Sequence, residues 1–311
     1  MTSESVSVVI PTLNRSDCLY QTVVDLLAQT WGNFEIVIVD QSAERDEKVI
    51  SLLKKIDRRD ITVKYYLVNF KGLPKARNFG WKNSQGNIII FIDDDVRLPR
   101  HFVNEHIKSH RNERVEIVAG GIDEAHRPEN NNPSRTGQFN FWTVKPYRDF
   151  NSHNEQFIDH APGGNFSIKL SALKNVKGFD ESLGLGAGLF EESDFCLRVK
   201  KEKGEIFFNP SARLKHLAHP TGGCRVDEVP HYLWSLTRNA TIVMLRHSQI
   251  YQMPIASLRI LLYIFSYFRQ APGLSTVFGG FRGIWDGLTA AQKPVESSSF
   301  QSNQIRETFQ S

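Results

Sequence analysis

Short apolar runs alternate with amphipathic stretches through the first hundred residues. Residues 6–10 read as a buried strand that stops at Pro11. Residues 16–29 then place Leu19, Val23, Leu26 and Leu27 at helical core spacing. A second strand over 34–39 ends on Asp40, a helix follows over 49–56, and a third strand covers 63–68. Pro74 suits the first turn of a helix running through Ala76 to Trp81. Residues 88–92 read as a fully buried, β-branched strand between Gly86 and three successive aspartates, Asp93, Asp94 and Asp95. This alternation predicts an α/β fold with a mostly parallel sheet.

Ligands of such sheets bind outside the carboxyl ends of the strands. Asn14, Asp40 and the aspartate triplet all fall at those ends. Three adjacent carboxylates repel one another unless a cation absorbs the charge. Alternate residues of an extended segment point the same way, so Asp93 and Asp95 face one ligand and Asp94 another. Hard oxygen ligands of this kind suit magnesium or manganese carrying phosphate oxygens. For the triplet taken alone, a solvated acidic turn ahead of Pro99 explains the sequence as well.

The rest of the chain is less regular. Residues 123–161 show little periodicity, with an asparagine run (Asn130 to Asn132) and scattered aromatics from Phe139 to Phe150, which reads as a functional loop or disorder. Residues 255–268 are apolar but too short for the roughly 20 residues that cross a bilayer. Their polar members Arg259, Tyr263 and Ser266, with Gln270, form one narrow stripe. That fits a helix buried in the protein, an oligomer interface, or a helix lying in a membrane interface. The Ser/Gln-rich residues 294–311 read as a disordered tail.

Composition narrows the class. With 311 residues, 40% of them hydrophobic and 23% charged, the chain suits a globular protein of one large domain plus an appendage. Cys18, Cys196 and Cys224 are far apart, which argues against a zinc site or disulfide framework and fits a reducing compartment. A strand already expected at Val6 leaves no room for a signal peptide. From His231 onward seven Lys or Arg face three acids, so the net charge of +4 is concentrated there. No dense basic stripe marks a nucleic-acid binder.

Several polar groups suggest chemistry. The turn Pro11-Thr12-Leu13-Asn14-Arg15 offers backbone N–H groups and a cation to phosphate, or simply joins a strand to a helix. Lys75 and Arg77 stand near a helix start, where positive charge opposes the macrodipole, so an anionic or carbonyl-bearing ligand better explains them. Glu192, Phe195, Cys196 and Val199 share one helical face, which puts Glu192 at the start of the buried side. Glu191 would then lie with Asp194 and Arg198 on a more polar side. A carboxylate facing a pocket from a helix start suits a general base. His216 and His219 follow a strand-like segment over 212–214.

In order along the chain, Val9-Ile10-Pro11-Thr12-Leu13-Asn14-Arg15, Val39-Asp40, Ala76-Arg77-Asn78-Phe79-Gly80 and Phe91-Ile92-Asp93-Asp94-Asp95 resemble family 2 of the nucleotide-sugar glycosyltransferases, with the GT-A fold. The resemblance continues through Pro162-Gly163-Gly164-Asn165-Phe166, Gly178-Phe179-Asp180-Glu181 and the stretch from Phe190-Glu191-Glu192 to Arg198. It implies a Rossmann-like GT-A domain over 1–225, with a nucleotide-binding half (1–120) and an acceptor and catalytic half (121–225). A helical segment (226–293) and the tail (294–311) follow.

What the family does would then be expected here: inverting transfer from a nucleotide diphosphate sugar, UDP- or dTDP-linked, to a hydroxyl of a glycan or lipid-linked acceptor. Pro11, Thr12, Asn14, Arg15, Asp40, Lys75, Arg77, Asn78, Asp93 and Asp94 would bind the donor, with Asp40 and Arg77 at the base and Asp94 near the ribose. Asp95, with Asp93 and His216, would hold Mn2+ or Mg2+, His219 being the other candidate. Gly163, Gly164, Asn165 and Trp142 would flank the donor sugar and acceptor, and Gly222-Gly223 suit a loop closing over the diphosphate. Glu192 would be the base, with Glu191 beside it; the family most often has Asp at the second position, so Glu192 reaches a methylene further. Polysaccharide or cell-envelope synthesis follows from the resemblance, in the cytoplasm or on the cytoplasmic face of the membrane. Peripheral membrane contact through 255–285 and a homo-oligomer are the remaining partners this reading admits, with no nucleic acid. The competing readings are a sugar-phosphate nucleotidyltransferase, disfavoured by a first loop with one cation and no glycine, and a non-catalytic nucleotide-sugar-binding homologue, which would be expected to lack an acidic site.

Overall fold

The computed structural model describes residues 4–124, 133–219, 226–299 and 305–309. Four strands, β1 (Val6–Thr12), β2 (Phe34–Asp40), β3 (Ile61–Leu67) and β4 (Ile88–Ile92), run parallel in the order β3-β2-β1-β4. Every residue of β1, β2 and β4 is buried. Helices cover both faces of such a sheet, which is why these strands are mostly apolar without polar alternation, and the buried Ser7, Glu35 and Lys64 pair with one another. The crossovers are α1 (Ser16–Leu27), α2 (Glu47–Leu53) and α3 (Leu73–Lys82). α2 starts and ends earlier than its apolar spacing suggested, because the Asp46 side chain accepts from Val49 N at 2.9 Å and caps it. β1 also runs past Pro11: Pro11 and Thr12 stay in register with Val39 and Asp40, so the polar ends of β1 and β2 lie side by side.

The second half adds β5 (Val96–Arg97), α4 (Phe102–His110), β6 (Val115–Glu124), β7 (Phe139–Asn140), β8 (Lys145–Pro146) and β9 (Gln156–Phe157). It continues with β10 (Asn165–Lys169), α5 (Leu170–Asn175), α6 (Glu191–Lys201) and β11 (Glu205–His216). β10 inserts antiparallel between β4 and β6, and β11 runs parallel to β6. The register pairs Asn165 with Ile92 and His216 with Val96. The aspartate triplet therefore emerges between the glycine turn that precedes β10 and the end of β11.

Two cores follow, one on each sheet face. One gathers Val9, Val37, Phe91 and Phe166 under α3, α5 and α6. The other gathers Val8, Ile10, Ile36 and Ile90 under α1, α2 and α4. Gly80 lets α3 lie close to the sheet, since a Cβ there would come within 2.3 Å of Val9 Cγ1.

Three helices follow: α7 (Val229–His247), α8 (Met253–Gln270) and α9 (Leu274–Ala290). Leu233, Ala240 and Val243 of α7 share a third core with Phe139, Val144, Phe190 and Leu197. That core organises part of the aperiodic 123–161 stretch, in which β7 and β8 pair antiparallel. The expected disordered tail needs correction as well. Ile305–Phe309 forms β12, antiparallel to β3 at the sheet edge; backbone pairing along an edge strand requires little apolar content. The run Asn130 to Asn132, the pair Gly222-Gly223 and Cys224 lie outside the described residues.

Candidate active site

The carboxyl ends of β1 and β4 meet through side chains. Thr12 Oγ1 donates to Asp94 Oδ2 at 2.7 Å. Arg15 Nη1 lies 3.1 Å from Asp94 Oδ1 and 3.1 Å from Asp95 Oδ2. Burial pushes the Asp94 carboxyl up to about 6, against the hydrogen bond from Thr12 and the charge of Arg15. Asp95 goes the other way. Its burial is outweighed by His216, the His219 backbone N–H and Arg15, which bring it down to about 2. His216 Nε2 stands 3.2 Å from Asp95 Oδ1, and His219 N donates to Asp95 Oδ2 at 3.0 Å. The hydrogen bond to Asp95 in turn raises the His216 imidazole above its usual value.

Asp93, Asp95 and His216 each present one donor atom, all within 4.8 Å of one another. Two carboxylates and an imidazole, with Asp93 and Asp95 turned to one centre as strand alternation predicts, are a donor set that fits Mn2+ or Mg2+. His219 contributes its backbone N–H to this cluster.

On the β2 side, Asp40 is buried, accepting from Tyr65 Oη and from Ser42 N. Asn14 N donates to Ser42 Oγ at 2.9 Å, so the turns after β1 and β2 are tied together. Lys75 lies with its ammonium 4.8 Å from the Phe70 ring centroid.

A cavity of about 310 Å³ opens beside the triplet, and Arg77, Asp93, Gly163, Gly164, Glu191, Glu192 and His216 all line it. α6 starts after Phe190, a bulky residue held at φ +69° with no side-chain cap, a conformation that costs roughly 1–3 kcal/mol and often marks a functional site. Glu191 is 2% exposed and faces Arg77, whose Nη1 is 3.3 Å from Glu191 Oε1. Arg77 Nη2 also donates to Gly163 O at 2.8 Å. Burial, with the neighbouring Glu192 charge, raises the Glu191 carboxyl well above its ordinary range. Glu192 is held below its ordinary value: Arg148, 3.6 Å away, and Arg77 outweigh its own burial. The pair therefore divides into a proton-holding Glu191 in the wall and an ionised Glu192 at the cavity.

Glu192 stands at the start of the face that buries Phe195, Cys196 and Val199, with 13% of its side chain exposed; it is Glu191, expected on a more polar side, that is buried as well. α6 buries its acids by ion pairing: Asp194 is fully buried against Arg198 (2.8 Å), His247 (2.9 Å) and Arg246 (3.4 Å). The apolar stripe of such a helix is not its only buried side.

Four other expected site residues are placed elsewhere or differently. Arg77 turns to Gly163 and Glu191, away from the partnership with Asp40 at a base. Asn78 is fully buried and does not line the cavity; its Nδ2 donates to Phe179 O and Glu181 Oε1, and its Oδ1 accepts from Phe179 N and Trp81 Nε1. Asn165 is also fully buried, donating to Gly121 O and Ala212 O and meeting His106 Nε2 at 3.0 Å. Both amides brace the framework, since each has its polar atoms committed to backbone or core partners. Trp142 packs at a tilt against Tyr251, with ring centroids 5.6 Å apart, and lies outside the cavity. The sequence reading missed Arg148 and His160, which do line it. Burial holds the His160 imidazole down to about 4. Arg148 belongs to the aromatic stretch 139–150, but no spacing singled it out.

The glycosyl transferase family 2 profile matches residues 7–176, more than half of the chain. The chain belongs to glycosyl transferase family 2. Across this family, a similar protein is the glucosyl-dolichyl phosphate glucuronosyltransferase of Haloferax volcanii, 27% identical over 223 residues that cover 68% of each chain. Other relatives are spanned less completely: an uncharacterised glycosyltransferase of Rickettsia conorii, 39% identical over 90 residues (29% of this chain), is covered for 14% of its length. Among solved structures, S. aureus TarS (residues 1–349, in complex with UDP-GlcNAc) superposes with TM-score 0.63 at 16% identity, covering 92% of this chain and 81% of the other. The mannosyltransferase PcManGT of Pyrobaculum calidifontis, in complex with GDP-Man and Mn2+, gives TM-score 0.56 at 13% identity, covering 92% and 85%. At these identities the likeness is one of fold, the α/β GT-A architecture with C-terminal helices. Among the described residues, no helix is long and apolar enough to cross a membrane.

Proposed function

We propose that this family 2 glycosyltransferase moves a sugar, with inversion, from a nucleotide diphosphate sugar to a hydroxyl of a glycan or lipid-linked acceptor. The observation that carries this reading is one cavity lined by Asp93, His216 and an ionised Glu192, with Asp95 completing the donor cluster beside it. Glu192 accepts the proton of the acceptor hydroxyl, whose oxygen forms the new bond to the anomeric carbon. The bond from that carbon to the diphosphate oxygen breaks on the opposite face. Asp93, Asp95 and His216 would hold Mn2+ or Mg2+, which when bound would supply charge neutralisation for a departing diphosphate. Arg148 and Arg77 keep Glu192 ionised at neutral pH, as a base requires. Asp40 and the Pro11-to-Arg15 turn lie at the strand ends where a uridine or thymidine nucleotide would bind. Gly163 and Gly164 leave room for the sugar: a Cβ on Gly163 would stand 3.2 Å from Glu192 Oε1.

A lipid-linked acceptor is supported by the name of the Haloferax relative, and a UDP-linked donor by the TarS complex. Incubating the protein with Mn2+, a panel of nucleotide sugars and acceptors, and measuring nucleoside diphosphate release, tests the reading. Acceptor-dependent release with one donor is expected. Pyrophosphate formation from a nucleoside triphosphate and a sugar phosphate would point to nucleotidyl transfer instead, and donor binding without release to a non-catalytic role.

A further inference from the structure

α8 and α9 are inside out for helices in water. The buried positions of α9 are Thr276, Gly280, Gly283 and Gly287. A Cβ on Gly283 would lie 2.2 Å from Thr237 Oγ1, and one on Gly287 2.7 Å from Arg238 O, so α9 rests almost backbone to backbone on α7. Its opposite face carries Leu274, Phe278, Phe281 and Trp285, at 89%, 69%, 54% and 68% exposure. α8 shares the outward apolar face: it buries Ala256, Ile260 and Ile264 and exposes Leu258, Leu262 and Phe265. The arrangement of α9, small residues inward and large apolar residues outward, is how helices pack when their surroundings are themselves apolar. An exposed apolar face of this extent marks a binding surface.

Charge selects the occupant. The two helices carry Arg259, Arg269 and Arg282 against one acid, Asp286. That acid accepts from Trp234 Nε1 at 2.8 Å and stands 3.6 Å from Arg282 Nε. A second copy of the chain would bring the same net positive charge to both sides of a self-complementary interface, whereas an anionic surface complements the excess.

We propose that α8 and α9 dock into the interface of an anionic phospholipid bilayer, with Phe278, Phe281, Trp285 and Phe265 among the acyl chains. This is the arrangement of an amphipathic interfacial helix pair, lying on the membrane without crossing it. The docking goes beyond sugar transfer and uses no cavity residue. It does have a consequence for the cavity, because α7 links the two. Asn239 Nδ2 donates to Leu183 O and to Leu189 O, each at 2.9 Å, and Ser235 Oγ donates to Leu185 O. The helix on which α9 rests thus holds the segment that supplies Leu189 to the cavity wall, which suits an acceptor presented from the lipid.

Vesicle flotation with the full chain tests this. Vesicles of mixed anionic and zwitterionic phospholipid should carry the protein, and purely zwitterionic vesicles should carry much less. The Phe278→Ser/Trp285→Ser double variant changes only exposed side chains. It should lose at least about tenfold in vesicle binding, with unchanged nucleoside diphosphate release on a water-soluble acceptor. A full chain that stays out of the anionic vesicle fraction overturns the proposal, as does a double variant that floats like the parent. A stable dimer that the double variant dissolves, with vesicles left bare, overturns it in favour of a second copy. Flotation reads no chemistry, so a chain that floats without releasing nucleotide overturns the transfer reading alone.

Discussion

Arg77 Nη1 and Glu191 Oε1 stand 3.3 Å apart, each side chain 2% exposed. Through its second bond, to Gly163 O, the same guanidinium joins α3, the turn before β10 and the start of α6. Removing one partner of a buried pair costs about 3–5 kcal/mol, and Glu191's readiness to hold a proton places this site toward the lower end. Arg77→Met is therefore expected to reduce the urea unfolding free energy by about 3 kcal/mol, and Arg77→Lys to recover part of it, since an ammonium lacks the fork that makes both contacts. An unchanged unfolding midpoint in Arg77→Met would show that the pair does not brace the site.

The Asp194 cluster predicts a pH dependence of stability. Although burial pushes its carboxyl up, Arg198, His247 and Arg246 hold it far below the ordinary carboxylate range. A depressed folded value means that the stabilisation is fully present above the unfolded value of about 3.9 and is lost as pH falls through the acid range below it. Asp194→Asn should be several kcal/mol less stable than the parent at neutral pH, roughly the 3–5 kcal/mol of a broken buried pair. Thermal unfolding measured from neutral pH downward should show this gap narrowing below pH of about 4. A gap that stays constant into acid removes Asp194 as the titrating group.

Metal affinity should depend on Asp95 and on the glycine facing Asp93. Asp95→Ala is expected to weaken Mn2+ binding by more than the roughly 10–100-fold typical of residues that only orient ligands. A Cβ on Gly164 would come within 2.3 Å of Asp93 Oδ2, so Gly164→Ala should displace that carboxylate and weaken Mn2+ binding too. Calorimetric titration with Mn2+ reads both. Binding equal to the parent in Asp95→Ala would place the metal elsewhere.

Strands β1 to β4 were legible because burial on both faces leaves them mostly apolar, the polar Ser7, Glu35 and Lys64 within them bonding to one another. The triplet was legible because it ends such a strand. Neighbour relations were not: nothing in the periodicity of Asn165–Lys169 tells that it pairs antiparallel with both β4 and β6, yet that pairing brings Gly164 to Asp93. Asn78 and Asn165 sit inside site-like motifs and act as braces, because an amide with four bonding positions suits a buried junction as well as a ligand. Glu191 is buried alongside Glu192 because Arg77, contributed from a distant helix, faces it at 3.3 Å, a partner that sequence spacing could not reveal.

The wall held by α7 should govern the acceptor more than the donor. Asn239→Ala leaves Leu183 O and Leu189 O without their donor, at a cost of about 1–3 kcal/mol. The KM for acceptor is expected to rise more than the KM for the nucleotide sugar. Equal changes in both would indicate a general loss of fold.

The most direct measurement compares Glu192→Gln with the parent in two readouts, donor binding with Mn2+ and acceptor-dependent nucleoside diphosphate release. Gln keeps the size and the hydrogen-bonding oxygen but cannot accept the acceptor's proton. Binding should be retained while release falls by about 100- to 10,000-fold, the contribution of a positioned base. Acceptor-dependent release at the parental rate in Glu192→Gln would contradict the assignment of the base and, with it, the mechanism.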